Sequence, residues 1–202
     1  MDYISEKNMA HFSYLNDYSD MRDVIFRKRN RFKHMDAFTQ NVLRGPSELS
    51  IQQRELIAAY VSALNACSFC SGIHTQVAIN FGMSEDLIQK LIENEEEAPI
   101  EEKMRPILAL VKKLTLLPNK MQKSDIEAIV NSGWSESAAE DTICIAALFN
   151  YYNRLMDGHG IKGYPGIFKE GAGMLSKYGY KFPGFIVLFM KWFGIKRPVQ
   201  EV

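Results

Sequence analysis

This chain of 202 residues is short of cysteine, short of tryptophan and without a long apolar run. Three cysteines are too few for the disulfide framework on which a small secreted scaffold relies. No stretch reaches the eighteen or so apolar residues that a membrane span needs. The most apolar run, Phe185 to Met190, is cut short by Lys191. The first residues, Met-Asp-Tyr-Ile-Ser-Glu-Lys, lack the apolar segment of a secretory leader. Together these absences predict a cytoplasmic protein that stays off membranes. Net charge is absent too, with 24 basic and 24 acidic residues. That balance excludes any need for nucleic acid or an anionic membrane as obligate partner. The one local excess is Arg27 to Lys33, with five basic residues in seven. It reads as a solvated helix face. No aromatic interleaving supports the rival reading of a phosphate patch.

Strand-like alternation is also missing, and what stands in its place is helical spacing. Asp20 to Arg44 carries Val24, Ile25, Phe32, Met35, Phe38, Val42 and Leu43 as one helix, or as two with a break near Lys33. Gly45-Pro46 ends it. Ser50 and Gln53 form a capping box for a helix with Leu56, Ile57, Tyr60, Val61 and Leu64 on its apolar face. Asn65-Ala66 breaks it, and the next helix runs from Ser68 to Phe81 with a stop at Gly82. Ser84-Glu85-Asp86 opens another that reaches Glu93. Further helices are predicted over Glu101–Leu116, starting near Pro106, from a second capping box at Ser124 and Glu127 to Gly133, and from Ser135 to about Met156. Ile79 to Glu85 is echoed 51 positions later by Val130 to Glu136, which suggests a duplicated helix-turn-helix unit. Residues before about 16 show no period. After Ile161 glycine, proline and aromatics alternate, which predicts irregular structure with short helices, the last near Phe185 to Trp192. The fold class is therefore all-α. The expected division is a helical domain over 1–160 and a Gly/aromatic-rich C-terminal extension over 161–202 packed on it.

The chemistry-bearing residues converge on Glu55 to His74. Cys67 and Cys70 form a C-x-x-C pair, and two thiols one helical turn apart can reach disulfide distance. At the start of a helix, exposed amides and the dipole favour a thiolate, and are expected to lower its pKa below about 8.5. A thiolate attacks peroxide to give a sulfenic acid, which a second cysteine converts to a disulfide. His74 lies four residues after Cys70, within reach of its thiol. Glu55, on the preceding helix, can return beside the cysteines as a proton carrier. Other readings of the same residues are a zinc site, which needs Glu55 as fourth ligand, or two inert core cysteines with a core histidine. Cys144 reads as core packing, His11 and His34 as surface residues, and His159 as a loop feature.

The pattern Glu55, Cys67, Cys70, His74 resembles the AhpD-like, peroxidase-related branch of the carboxymuconolactone decarboxylase superfamily. Gly45-Pro46-Ser47, Arg54 to Ala58, Val61 to Asn65 and the Phe149-Asn150, Asn153-Arg154 pattern extend the likeness over about residues 30–160. The resemblance implies an all-α homo-oligomer, a trimer or hexamer. It implies thiol-dependent reduction of a hydroperoxide, with no cofactor beyond the redox-active cysteine pair. Electrons would come from an external dithiol reductant such as a lipoyl or thioredoxin-like protein. It makes Cys70 the peroxidatic thiol, Cys67 the resolving one, His74 the assistant of Cys70 and Glu55 the proton acceptor. The family's relay histidine, just before the second cysteine, is Phe69 here, so the implied relay has one member fewer. The alternatives within this resemblance are a non-catalytic redox sensor or interaction module and a lactone decarboxylase-type enzyme.

Overall fold

The computed structural model describes residues 10–180. Among them are nine α-helices and no strand. They are α1 (Met21–Arg27), α2 (Arg29–Arg44), α3 (Ile51–Leu64), α4 (Ser68–Asn80), α5 (Leu87–Glu93), α6 (Arg105–Leu116), α7 (Lys123–Asn131), α8 (Glu136–His159) and α9 (Pro165–Tyr178). No helix among the described residues is long and apolar enough to cross a membrane.

The centre of the bundle is α3. Leu56 through Ser62 are all buried, so this helix has no solvent face. It packs against α2, α4, α5, α6 and α8. A helix apolar all round belongs inside a protein. Burying Leu56, Ile57, Tyr60 and Val61 contributes about 1.5–3 kcal/mol each. Those contributions offset the cost of two charged residues, Arg54 and Glu55, that α3 also carries inside. The predicted cap is present: Ser50 Oγ accepts from the Gln53 amide at 3.2 Å, and Gln53 Oε1 accepts from the Ser50 amide at 2.9 Å.

Both echoing segments stop their helices alike. Gly82 and Gly133 have φ of +100° and +96°. The amides of Met83 and Trp134 then reach back to Ala78 and Ile129. Met83 and Trp134 are both buried, which pins each turn to the core.

Five expectations need correction. The break in the first helical segment falls at Lys28, not Lys33, because Asp20 caps a short separate α1 and Lys28 leaves helical geometry. The helix from Ser84 starts only at Leu87, since the Ser84 hydroxyl bonds the Asp86 carboxylate instead of capping. The second capping site lies two residues early: Asp125 accepts from the Gln122 amide at 2.7 Å. α8 continues past Met156 to His159, where Gly160 ends it with φ +69°. His159 thus sits in the last helical turn, its Nδ1 2.7 Å from the Leu155 carbonyl. Finally, residues 165–178 form one regular helix where irregular structure was expected. The expected helix near Phe185 to Trp192 lies outside the described residues.

Glycines that suggested irregular structure let α9 approach α4. A Cβ at Gly171 would meet Ile73 at 3.3 Å. A Cβ at Gly72 would fall 2.4–2.6 Å from the Phe168 ring, and one at Gly163 would fall 2.0–2.3 Å from it. Phe168 is therefore clasped between two glycines. Gly72→Ala is expected to destabilise the protein by about 1–3 kcal/mol through overpacking. Urea unfolding checks it, and an unchanged midpoint would show that the clasp is loose.

Candidate active site

Cys67 caps α4 and Cys70 lies in its first turn. The turn from α3 is tight, with Ala66 at φ +55°. The Cys67 amide bonds the Ser62 carbonyl at 2.9 Å. Its thiol points at the Asn153 carbonyl on α8, 3.9 Å away. A net of amides holds this corner. Asn65 Nδ2 donates to Asn150 and Asn153 at 3.0 and 2.9 Å, and the fully buried Asn153 donates to Ser62 Oγ at 2.9 Å. The Phe149-Asn150, Asn153-Arg154 pattern is thus the frame of the dithiol turn. Phe149 adds an edge-on contact to the His74 ring, with centroids 4.4 Å apart.

Glu55, with no exposed surface, lies across from His74. Its Oε2 is 2.7 Å from His74 Nδ1. Oε1 accepts from Arg44 Nη1 at 2.6 Å and from the Tyr180 hydroxyl at 2.8 Å. Burial pushes the Glu55 carboxyl up, but the His74 bond and charge, Arg44 and Tyr180 outweigh it, and the net shift is downward. An ionised carboxylate only accepts hydrogen bonds, so Nδ1 of His74 carries the proton. In the neutral ring Nε2 is then the unprotonated nitrogen, and the imidazole is a base on that side. Tyr180 is pushed well above the usual tyrosine range by burial and by the Glu55 charge, which keeps it a donor.

The Cys70 thiol runs against the sequence expectation. Its pKa lies well above the ordinary value rather than below it. The hydrogen bond with Cys67 and burial dominate, and the charge of Asp157 adds to them. Cys70 is 2% exposed, so the start of α4 is screened by protein rather than open to an anion. The resting thiol is protonated at neutral pH and needs a base. The rate of Cys70 alkylation by iodoacetamide is therefore expected to climb with pH and show no plateau below about pH 9. A plateau near neutrality would mean an activated thiolate at rest.

Cys70, His74, Phe69 and Tyr180 all line one cavity of about 110 Å³. Its remaining wall is mainly apolar, from Ile25 and Phe26 on α1 to Ile167 and Met174 on α9. Tyr152 also lines it; burial holds its hydroxyl up at about 12, while Thr39 bonds it at 2.7 Å. Among the described residues no three of His, Cys, Asp and Glu are grouped to hold a metal ion.

Several solved structures share this helical arrangement. A protein described as an alkylhydroperoxidase AhpD core, an uncharacterized peroxidase-related protein from Ralstonia eutropha JMP134, superposes with TM-score 0.67 at 21% identity, covering 74% of this chain and 78% of its own. An uncharacterized peroxidase-related protein from Silicibacter sp. TM1040 gives 0.67 at 22% identity, covering 71% and 75%. A protein of unknown function from Agrobacterium tumefaciens gives 0.59 at 22%, covering 67% and 92%. Residues 31–112 match the carboxymuconolactone decarboxylase family. That stretch carries the likeness to the family, and the solved structures show that the helical fold is shared. The uncharacterized protein YdfG of Bacillus subtilis (strain 168) is 29% identical over 109 residues, 54% of this chain and 74% of YdfG.

In this chain the four residues singled out by sequence fall in two linked pairs. Cys67 and Cys70 form the first, Glu55 and His74 the second, and the cavity joins Cys70 to His74. Glu55 reaches the histidine directly and does not line the cavity. Two functional groups escaped the sequence reading. Arg44 sits at the end of α2 next to Gly45-Pro46, where a basic residue reads as ordinary favourable charge at a helix C-terminus. Tyr180 is separated from Glu55 by 125 positions and has no motif around it. Cys144, expected in the core, is only half-buried and lies outside the buried core; burial with Glu140 and Asp141 pushes its thiol up. His11 and His34 are exposed, as expected.

Proposed function

We propose that this protein reduces organic hydroperoxides with its Cys67–Cys70 dithiol. The observation that carries the reading is one cavity lined by a thiol of a close cysteine pair and by a histidine whose other nitrogen is held by a buried carboxylate. His74 Nε2 takes the Cys70 proton. The thiolate attacks the peroxide's terminal oxygen, the O–O bond breaks, and the alkoxide leaves as alcohol with that proton. Cys70 is now a sulfenic acid. The Cys67 thiol displaces its hydroxyl as water, forming the disulfide. A dithiol reductant then restores both thiols and is itself oxidised to a disulfide. The apolar wall supports a peroxide with a hydrocarbon body over hydrogen peroxide. Names of structural relatives that mention peroxidase or AhpD support the same class.

The test is peroxide consumption with cumene hydroperoxide and with hydrogen peroxide, driven by dihydrolipoamide or reduced thioredoxin. Turnover, faster with cumene hydroperoxide, supports the reading. No dithiol-dependent turnover with any donor sinks it. One observation favours a second reading: Cys67 is fully buried and Cys70 nearly so. That suits a redox switch that oxidises once. It predicts one equivalent of disulfide per chain on peroxide treatment, without catalytic consumption. A decarboxylase-type activity, which the family match allows, would survive loss of both cysteines.

A further inference from the structure

The Glu55–His74 pair is completed by a residue far outside the motif. Tyr180 follows directly on Gly179, which ends α9 with φ +67°. The site is built to hold it. The Tyr180 amide donates to Gln40 Oε1 at 2.7 Å, and Arg44 sits over the ring with its guanidinium carbon 5.0 Å from the centroid. The ring lies nearly parallel to the His74 imidazole, with 11° between planes and 6.3 Å between centroids. Its hydroxyl is 2.8 Å from Glu55 Oε1 and 3.4 Å from His74 Nδ1. Arg44 also donates to the Leu175 carbonyl on α9 at 3.3 Å. One end of α9 is thus tied to the carboxylate, while Phe168 near the other end is clasped by Gly72 and Gly163. Between these two ties α9 supplies cavity wall through Ile167, Gly171, Met174 and Leu175.

We infer that Tyr180 is a positioning residue: its hydroxyl fixes the Glu55 carboxylate against His74 and latches α9 over Cys70. A carboxylate can rotate about its last bond, and a donor on Oε1 holds the other oxygen on the Nδ1 proton. The same bond makes closure of the cavity and readiness of the base a single event. With the latch undone, this end of α9 loses its bond to Glu55 and keeps the Arg44–Leu175 contact, so the cavity opens more readily and the carboxylate is less firmly fixed against the histidine. The inference rests on the proposed peroxide reduction only for its kinetic consequence. The latch itself is a statement about hydrogen bonding and access.

The decisive variant is Tyr180→Phe, which keeps the ring and removes only the hydroxyl. Three readouts are taken on the full chain, with circular dichroism to check the fold. The carboxyl carbon-13 signal of Glu55 should titrate at higher pH than in the wild type, because a donor to the charged form has gone. Iodoacetamide should alkylate Cys70 about ten-fold faster through the loosened α9. Peroxide turnover should fall about ten-fold in kcat with little change in KM. An unchanged Glu55 titration together with unchanged alkylation overturns the inference. If the wild type shows no peroxide turnover, the proposed function falls, and the titration and alkylation still decide the latch. Should the variant misfold, Gln40→Ala tests the same latch through the Tyr180 amide. Faster Cys70 alkylation there supports the inference, and an unchanged rate overturns it.

Discussion

Cys70→Ser will lower dithiol-dependent peroxide consumption by about a thousand-fold or more, because a serine hydroxyl at neutral pH offers no comparable nucleophile and no sulfenic acid to carry the oxygen. Cys67→Ser will behave differently. Cys70 can still be oxidised once, so a single equivalent of peroxide should disappear in a burst before turnover stops. The pair of outcomes separates the roles of the two sulfurs. The measurement is peroxide loss over time in the presence of excess dithiol. Equal residual turnover in both variants would place the chemistry elsewhere in the molecule. Cys144 is a poor candidate for that, being held among Glu140 and Asp141 on α8.

The second large effect is on folding. Glu55→Ala leaves the Arg44 guanidinium, with 9% of its side chain exposed, facing a void. Breaking a buried pair in this way costs about 3–5 kcal/mol. For a chain of this size that is a fall in Tm of about 10 °C. Differential scanning calorimetry reads it, and a fall under about 3 °C would mean that water replaces the lost carboxylate at little cost. Glu55→Gln should fall less, since the amide oxygen still accepts from Arg44 and Tyr180. The pH dependence has a definite sign. The folded Glu55 value is depressed, so its stabilisation is present above the unfolded value of about 4.3. It is lost as pH falls through the folded value. The Gln variant should lack that part of the acid slope. Activity should fall as well, about a hundred-fold for either substitution, because His74 loses the acceptor that fixes its base nitrogen.

Helices with both a cap and an apolar stripe were readable from the sequence almost to the residue. Ser50 with Gln53, and Gly82 and Gly133 as stops, are local signals that the fold obeys. Two of the misreadings share a cause: a tertiary partner outweighed a local preference. Glycine at 163, 166, 171 and 173 reads as irregular structure when taken alone. Beside α4, Gly163 and Gly171 become contact surface, and Gly72 and Gly163 make room for one aromatic ring. The helix-start argument for a low Cys70 pKa failed for the same reason. It assumed an open helix end, and α8 and α9 cover it. Arg44 and Tyr180 could not be found by spacing, since Arg44 ends α2, Tyr180 follows α9, and each meets Glu55 only in three dimensions. Phe69 illustrates the converse. The missing relay histidine was visible at once, but the direct 2.7 Å bond between Glu55 and His74 was not.

Ala66 carries a last consequence. Its side chain is exposed, so packing places no demand on it. Its backbone sits at φ +55°, where an L residue with a branched or bulky side chain is strained. The position directly before Cys67 is therefore restricted to a short alphabet of glycine, asparagine, aspartate and alanine, although the side chain is exposed. A surface residue that drifts freely elsewhere is here confined by the shape of the chain that delivers the first cysteine.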